Sequence, residues 1–213
     1  MNTIQRTTIP LLVVALAACL SLPAAAAEVH HLRTGTEMAW TSFAGVAPDG
    51  CTHTDTYLLA SDEVVRTEPG GPVQASQLLF SAHQWSDCNG VLEDLRDLFT
   101  LIDVPAEALQ VQGHLHGATL DVAFEAFDYV SGTRIPVTLH LAWTGEGTVT
   151  RSSSTAQTIH SNYRYSAHWN GDSRPALVTG TLTLPGTTLD ATSTAYSGLT
   201  TNRNGSLTVA RGF

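Results

Sequence analysis

The stretch Leu120–Trp143 reads LDVAFEAFDYVSGTRIPVTLHLAW, and its pattern decides the fold class. From Ile135 the apolar residues fall on every second position, Ile135, Val137, Leu139, Leu141 and Trp143, with Pro136, Thr138, His140 and Ala142 between them. Successive side chains of an extended chain point to opposite faces, so this is a strand buried on one side. Upstream, Leu120, Val122, Phe124 and Ala126 alternate with Asp121, Ala123 and Glu125, and Ser131-Gly132 supplies the turn residues. The two runs predict an antiparallel β-hairpin. Apolar parity then shifts from even positions to odd at Phe127 and Tyr129. Keeping both sets inward takes one extra residue, which predicts a bulge near Ala126–Asp128.

The same alternation extends outward. Glu37–Phe43, Cys51–Ala60, Gln77–Trp85 and Leu109–Leu115 are strand candidates before the hairpin; Thr148–Ser153, Asn162–Trp169, Ala176–Leu184, Leu189–Tyr196 and Ser206–Ala210 follow it. Asn170-Gly171 is the strongest two-residue turn signal, because both residues tolerate positive φ, and Pro185-Gly186 is another turn. Only Val91–Leu101 changes period: Leu92, Leu95, Leu98 and Leu101 recur at three, which predicts one short helix, with a strand over Asp97–Val104 as the competing reading. Many short strands with turns between them and no strand-helix alternation predict an all-β protein. The expected architecture is an antiparallel two-sheet β-sandwich, jelly-roll or immunoglobulin-like, in a single domain over 28–213.

Residues 1–27 carry Arg6, an apolar run from Ile9 to Leu22 and small residues from Ala24 to Ala27, the pattern of a removed signal peptide. The expected location is secreted or periplasmic. The alternative is a lipoprotein anchored at Cys19, since Leu16-Ala17-Ala18-Cys19 resembles a bacterial lipobox. No later run is long and apolar enough for an integral membrane helix. With Cys19 removed, Cys51 and Cys88 remain, and two cysteines in an exported chain predict one disulfide. Its closure stabilises by roughly 4 kcal/mol on the chain-entropy account. The chain has no lysine, and without Arg6 it carries nine arginines against 19 acidic residues, a net charge of −10. Such a surface repels phosphate backbones, so a nucleic-acid partner is not expected.

The phrases Phe127-Asp128-Tyr129-Val130-Ser131-Gly132, Trp143-Thr144-Gly145 and Asn170-Gly171-x-x-Arg174-x-Ala176 resemble a group of uncharacterised exported bacterial proteins rich in β-structure. The resemblance spans much of residues 118–180 and implies no activity.

Chemistry-bearing residues are few. His114 and His116 lie two apart, which on a strand places both imidazoles on one face, where they could hold copper or zinc with His140 as a third ligand. If cleavage falls after Ala27, Glu28-Val29-His30 offers an amine, two amides and an imidazole in the square plane that Cu(II) prefers. Tyr163, Tyr165 and Trp169 form an aromatic stripe that either stacks on sugar rings or lines a core, with Arg164, Ser166 and His168 opposite; Trp85 beside the disulfide turn is a further candidate for an exposed aromatic. Gly171-Asp172-Ser173 lacks the strand-to-helix elbow of an esterase serine, and no acid-base pair or cofactor motif stands out. The expected protein is a binding or cell-surface component without resident cofactor, its partner a carbohydrate or a protein. The alternatives are a metal-dependent protein or enzyme using the histidine pair and a small outer-membrane β-barrel. The exported protein is expected to give an intact mass beginning at Glu28 and to resist alkylation until reduced; a mass beginning at a lipid-modified Cys19 selects the lipoprotein instead.

Overall fold

The computed structural model describes residues 28–68, 70–160, 163–192 and 196–210, and the expected export signal lies outside them. Eleven strands follow in chain order: β1 (Glu28–Val46), β2 (Thr52–Glu68), β3 (Pro72–Ser86), β4 (Glu93–Asp103), β5 (Leu109–Val111), β6 (Gly117–Asp128), β7 (Thr133–Gly145), β8 (Thr150–Ile159), β9 (Tyr163–Leu184), β10 (Thr187–Asp190) and β11 (Tyr196–Ala210). A 3-10 turn at Gly113–Leu115 separates β5 from β6.

All eleven strands belong to one antiparallel sheet, and its pairings close on themselves. β1 pairs with β2, β2 with β3 and β3 with β4. β4 then meets β6, β6 meets β7, β7 meets β9, β9 meets β11, and β11 returns to β1. In place of two packed sheets with jelly-roll or immunoglobulin-like connections, the chain forms a meander closed into an eight-stranded ring. Closure removes the sheet edges that an open sheet leaves exposed. β8 follows β7 along β9, and between the two the Glu146 N–H bonds the Pro175 carbonyl of β9 at 2.7 Å.

The Leu120–Trp143 hairpin forms as its alternation requires, with Gly132 at φ 70° in the turn. The bulge does not. Register runs unbroken from Gly117 opposite Thr144 to Asp128 opposite Thr133. Even positions therefore stay inward throughout, while Phe127 and Tyr129 lie outside and pack edge to face at 5.0 Å. The predicted helix is also a strand, β4, which ten β3 partners hold extended, with one register shift between Gln84 and Trp85 that leaves Leu95 unpaired. Leu98 and Thr100 are buried there, whereas Leu92, Leu95 and Leu101 are exposed. Asn170-Gly171 is no turn either but the middle of β9; a Cβ on Gly171 would lie 2.8 Å from the Trp169 indole, so glycine is needed for packing beneath that ring. The turn after this strand is Pro185-Gly186, as expected.

Inward side chains of the closed half, among them Leu58, Leu78, Phe80, Leu98, Leu120, Leu139, Trp143, Val178, Leu182 and Leu199, form one apolar core. Each large side chain fully removed from water stabilises by roughly 1.5–3 kcal/mol. Trp143 also donates its indole N–H across the interior to the Trp40 carbonyl at 3.0 Å. Cys51 and Cys88 are bridged, tying the β1–β2 turn to the β3–β4 turn.

Ring closure is narrowest between β4 and β6, where only Leu98–Asp128 and Phe99–Phe127 pair. Asp128 reinforces this seam. Its buried carboxylate accepts from the Asp97 N–H at 3.0 Å, the Val130 N–H at 3.1 Å and the Ser131 hydroxyl at 2.7 Å. The Tyr129 N–H adds a bond to the Asp97 carbonyl at 2.8 Å. Burial alone would raise the Asp128 pKa, but the hydrogen bonds from Ser131, Asp97 and Val130 outweigh it and hold the carboxyl below its ordinary value. A carboxyl whose folded pKa is depressed stabilises the fold above its unfolded pKa and loses that contribution as pH falls through the folded value. Asp128→Ala is expected to cost about 2–3 kcal/mol in urea denaturation at neutral pH, with the difference from the parent shrinking on acidification below about pH 4.

Candidate functional site: the polar mouth of the barrel

Several strands outrun the apolar core. In β1 the inward series Phe43, Thr41, Ala39 continues as Glu37, Gly35 and Arg33; in β2, Leu58 and Ala60 continue as Asp62, Val64 and Arg66. In β9, Val178 and Ala176 give way to Arg174, Asp172, Asn170 and His168, and in β11 Leu199 is followed by Thr201, Arg203 and Gly205. One end of the interior is therefore dry and the other is wet.

Strand register sorts the wet residues into rows. The deepest runs Asp62, Glu37, Thr201, Asp172, Arg151; the next Val64, Gly35, Arg203, Asn170, Ser153; the third Arg66, Arg33, Gly205, His168, Thr155. Rows are about 7 Å apart, two residues of strand rise. Each arginine of the β1–β11 pair faces a glycine, Arg33 opposite Gly205 and Arg203 opposite Gly35, and a Cβ at either glycine would meet nothing within 4 Å. The space beside the guanidinium groups is open. Arg33 and Arg66 stand directly opposite each other, a like-charge pair that is unfavourable in a sheet. These two, with Arg203, His168 and Asn170, line a cavity of about 650 Å³ that no carboxylate lines.

Below it lies a chamber of about 440 Å³ that shares Arg203 and Asn170 and adds Glu37, Asp172, Thr201, Arg151, Gln112 and His114. Asp172 pairs with Arg151 at 3.7 Å. Burial, then the neighbouring Asp62, raises the Glu37 pKa, and Arg203 partly offsets both.

His114 reaches the chamber from the 3-10 turn, where it has φ 58° and Leu115 has φ 55°. Two successive non-glycine residues in the left-handed region cost of order 1–2 kcal/mol each and persist only where the surroundings hold them. Here the Leu115 side chain is buried in the core, and a Cβ on Gly145 would collide with the Leu115 carbonyl oxygen. Arg174 donates to that carbonyl at 3.5 Å, to the Glu146 carbonyl at 3.4 Å and to His116 Nδ1 at 3.3 Å.

The histidines singled out by spacing are thus not a strand pair. His114 and His116 sit on the turn with ring centroids 6.2 Å apart, His116 engaged by Arg174. His140, on the outer face of β7, bonds Asp121 at 2.7 Å. Among the described residues the one group of three metal-type donors within 4.8 Å is Asp49, Cys51 and Cys88, whose sulfurs are the disulfide; the three imidazoles do not gather. His30 stands in β1 opposite Thr208, and the cleavage site that would free its terminus lies outside the described residues. Tyr163, Tyr165 and Trp169 alternate with the inward Arg164, Ser166 and His168, so the aromatics take the outer face; Tyr163 stacks on His160 at 4.7 Å. Trp85 lies between His53 and His83, with centroids at 5.4 and 5.2 Å.

The arginines of the mouth escaped notice in the sequence. The signal that could have found them is parity: Arg33, Arg66 and Arg174 each continue an apolar inward series in their own strand.

No known protein family and no curated protein matches the sequence. A search of solved structures returns a protein described as an AttH from Nitrosomonas europaea, 9% identical, with a TM-score of 0.26 over 86% of this chain and 52% of that one. This chain thus spans about half of that protein's length, and a likeness this low transfers neither fold nor function.

Relieving the backbone at position 114 tests whether the turn is held under strain. His114→Gly is expected to raise stability by about 1 kcal/mol in chemical denaturation, because glycine adopts positive φ freely, whereas His114→Ala gives no such gain.

Proposed function

We propose that the protein is an extracytoplasmic binding protein that takes a small anionic ligand in the mouth of its barrel. The observation that carries this reading is the convergence of Arg33, Arg66 and Arg203, from three neighbouring strands, on one open cavity with no carboxylate in its lining. Guanidinium groups offer forked donors that match carboxylate, phosphate and sulfate oxygens, and an anion among them relieves the Arg33–Arg66 repulsion. The chain as a whole is acidic, so a cluster of arginines at the mouth stands against its overall charge. The Cys51–Cys88 bridge supports an oxidising compartment outside the cytoplasm. Asp121, Glu125 and His140, exposed on the outer face of the β6–β7 hairpin, favour water around the barrel over the lipid that an outer-membrane barrel faces.

Titration calorimetry with inorganic phosphate, sulfate and citrate at low ionic strength tests the reading. At least one of these anions is expected to bind, with affinity falling as sodium chloride is raised. Arg66→Ala and Arg203→Ala are each expected to weaken binding about tenfold, as loss of a charge-assisted hydrogen bond does. Gly205→Val adds a strand-compatible side chain beside Arg33 at a position whose Cβ meets nothing within 4 Å, so it should fold normally and lose binding. Failure of all three anions to bind overturns the proposal.

A further inference from the structure

We infer that the ligand is a hydroxylated acid, a sugar phosphate or sugar acid, seated with its anionic group among Arg33, Arg66 and Arg203 and its hydroxyl-bearing body in the chamber below. This rests on the anion-binding reading of the mouth and adds what the rest of the ligand must be.

Charge changes along this inward face. Going inward by two rows, the Arg33–Arg66 row, whose cavity no carboxylate lines, gives way to a row holding Glu37 and Asp172. Those carboxylates oppose a second anion at the bottom, which orients the acid group outward. They are not free to demand a cation either. Arg151 lies 3.7 Å from Asp172, and Arg203 acts electrostatically on Glu37. The floor is close to neutral and rich in hydrogen-bonding groups: carboxylate acceptors, the Thr201 hydroxyl, the Asn170 amide and the His114 imidazole. An alkyl body there would strip these groups of water and return no hydrogen bonds, at a cost of order 1–3 kcal/mol for each group left unpaired. Hydroxyl groups, which donate and accept, satisfy the same lining.

Dimensions agree with this division. From the Arg33–Arg66 row to the Glu37 row is four residues of strand, about 13 Å, a span that a phosphorylated hexose fills and inorganic phosphate does not. The upper cavity and the chamber share Arg203 and Asn170, so one molecule can occupy both. The second support is the backbone of the turn. His114 is held at φ 58° by the buried Leu115, the close approach of Gly145 and the Arg174 guanidinium, which sets one edge of the chamber before any ligand arrives. Such preorganisation lowers the ordering cost of recognising a polar group.

The test compares three probes by calorimetry: inorganic phosphate, hexyl phosphate and glucose 6-phosphate. Glucose 6-phosphate is expected to bind at least tenfold more tightly than hexyl phosphate. Thr201→Val, nearly isosteric and suited to a strand, is expected to reduce that advantage to threefold or less, as is His114→Ala, with inorganic phosphate as the control for the anion site and circular dichroism for the fold. If phosphate binds but hexyl phosphate equals glucose 6-phosphate, the hydroxylated-ligand inference falls and the anion site stands. If the sugar advantage survives both substitutions, the placement in the chamber is wrong. If none of the three probes binds, this inference falls and the anion site is left to the sulfate and citrate titrations.

Discussion

Everything in the barrel depends on a ring that is nearly open at one point. Most neighbouring strands share eight or more paired residues, whereas β4 and β6 share two, and the shortfall is made good by one carboxylate. Asp128 gathers the Asp97 and Val130 amides and the Ser131 hydroxyl, so that a turn, a strand end and the neighbouring strand are fixed by the same group. An acid in an inward position is expensive unless its lone pairs are used, and here the local chain supplies the donors. The hydrophobic interior needs that closure, because a splayed seam would admit water beside Leu98 and Leu120.

Given a closed ring, the division of the interior follows from strand length. β1, β2, β9 and β11 run past the apolar core, and their continuing inward positions carry polar and charged groups. Each of these strands is thus apolar at one end and polar at the other along its inward face. The mouth inherits its geometry from the core's register, and its arginines are placed by backbone pairing instead of by loops. β8, paired with β9, supplies Arg151 to the lining of the chamber.

Much of the class was legible in the sequence and much of the site was not. The hairpin around Ser131-Gly132, the Cys51–Cys88 bridge and the Pro185-Gly186 turn all follow from local chemistry that the structure shares. The errors have a common physical source, since sheet partners override local preference. The three-residue recurrence of leucines gave way to a strand because β3 offers it a ladder from Gln77 to Ser86, shifted once at Leu95. Asn170-Gly171 has the composition of a turn but serves to seat the Trp169 ring. Reading Phe127 and Tyr129 as inward forced a bulge, whereas the interior position belongs to Asp128. One sheet or two is not a local property at all; it depends on β11 returning to β1 across most of the chain. The binding face was obscured for a related reason. Arg164, Ser166 and His168 look like a solvated exterior, and only the register through β11 to β1 shows that His168 shares a face with Arg33.

The disulfide lies at the β1–β2 and β3–β4 turns, at the far end of these strands from the arginines. The covalent anchor and the arginine-lined mouth therefore occupy opposite poles of the same strands. Substitutions around the mouth leave both the staple and the packed interior intact, while changes near the staple do not alter the lining. A frame partitioned in this way can diversify what it recognises with little loss of foldability, so proteins that share its closed end need not share a ligand.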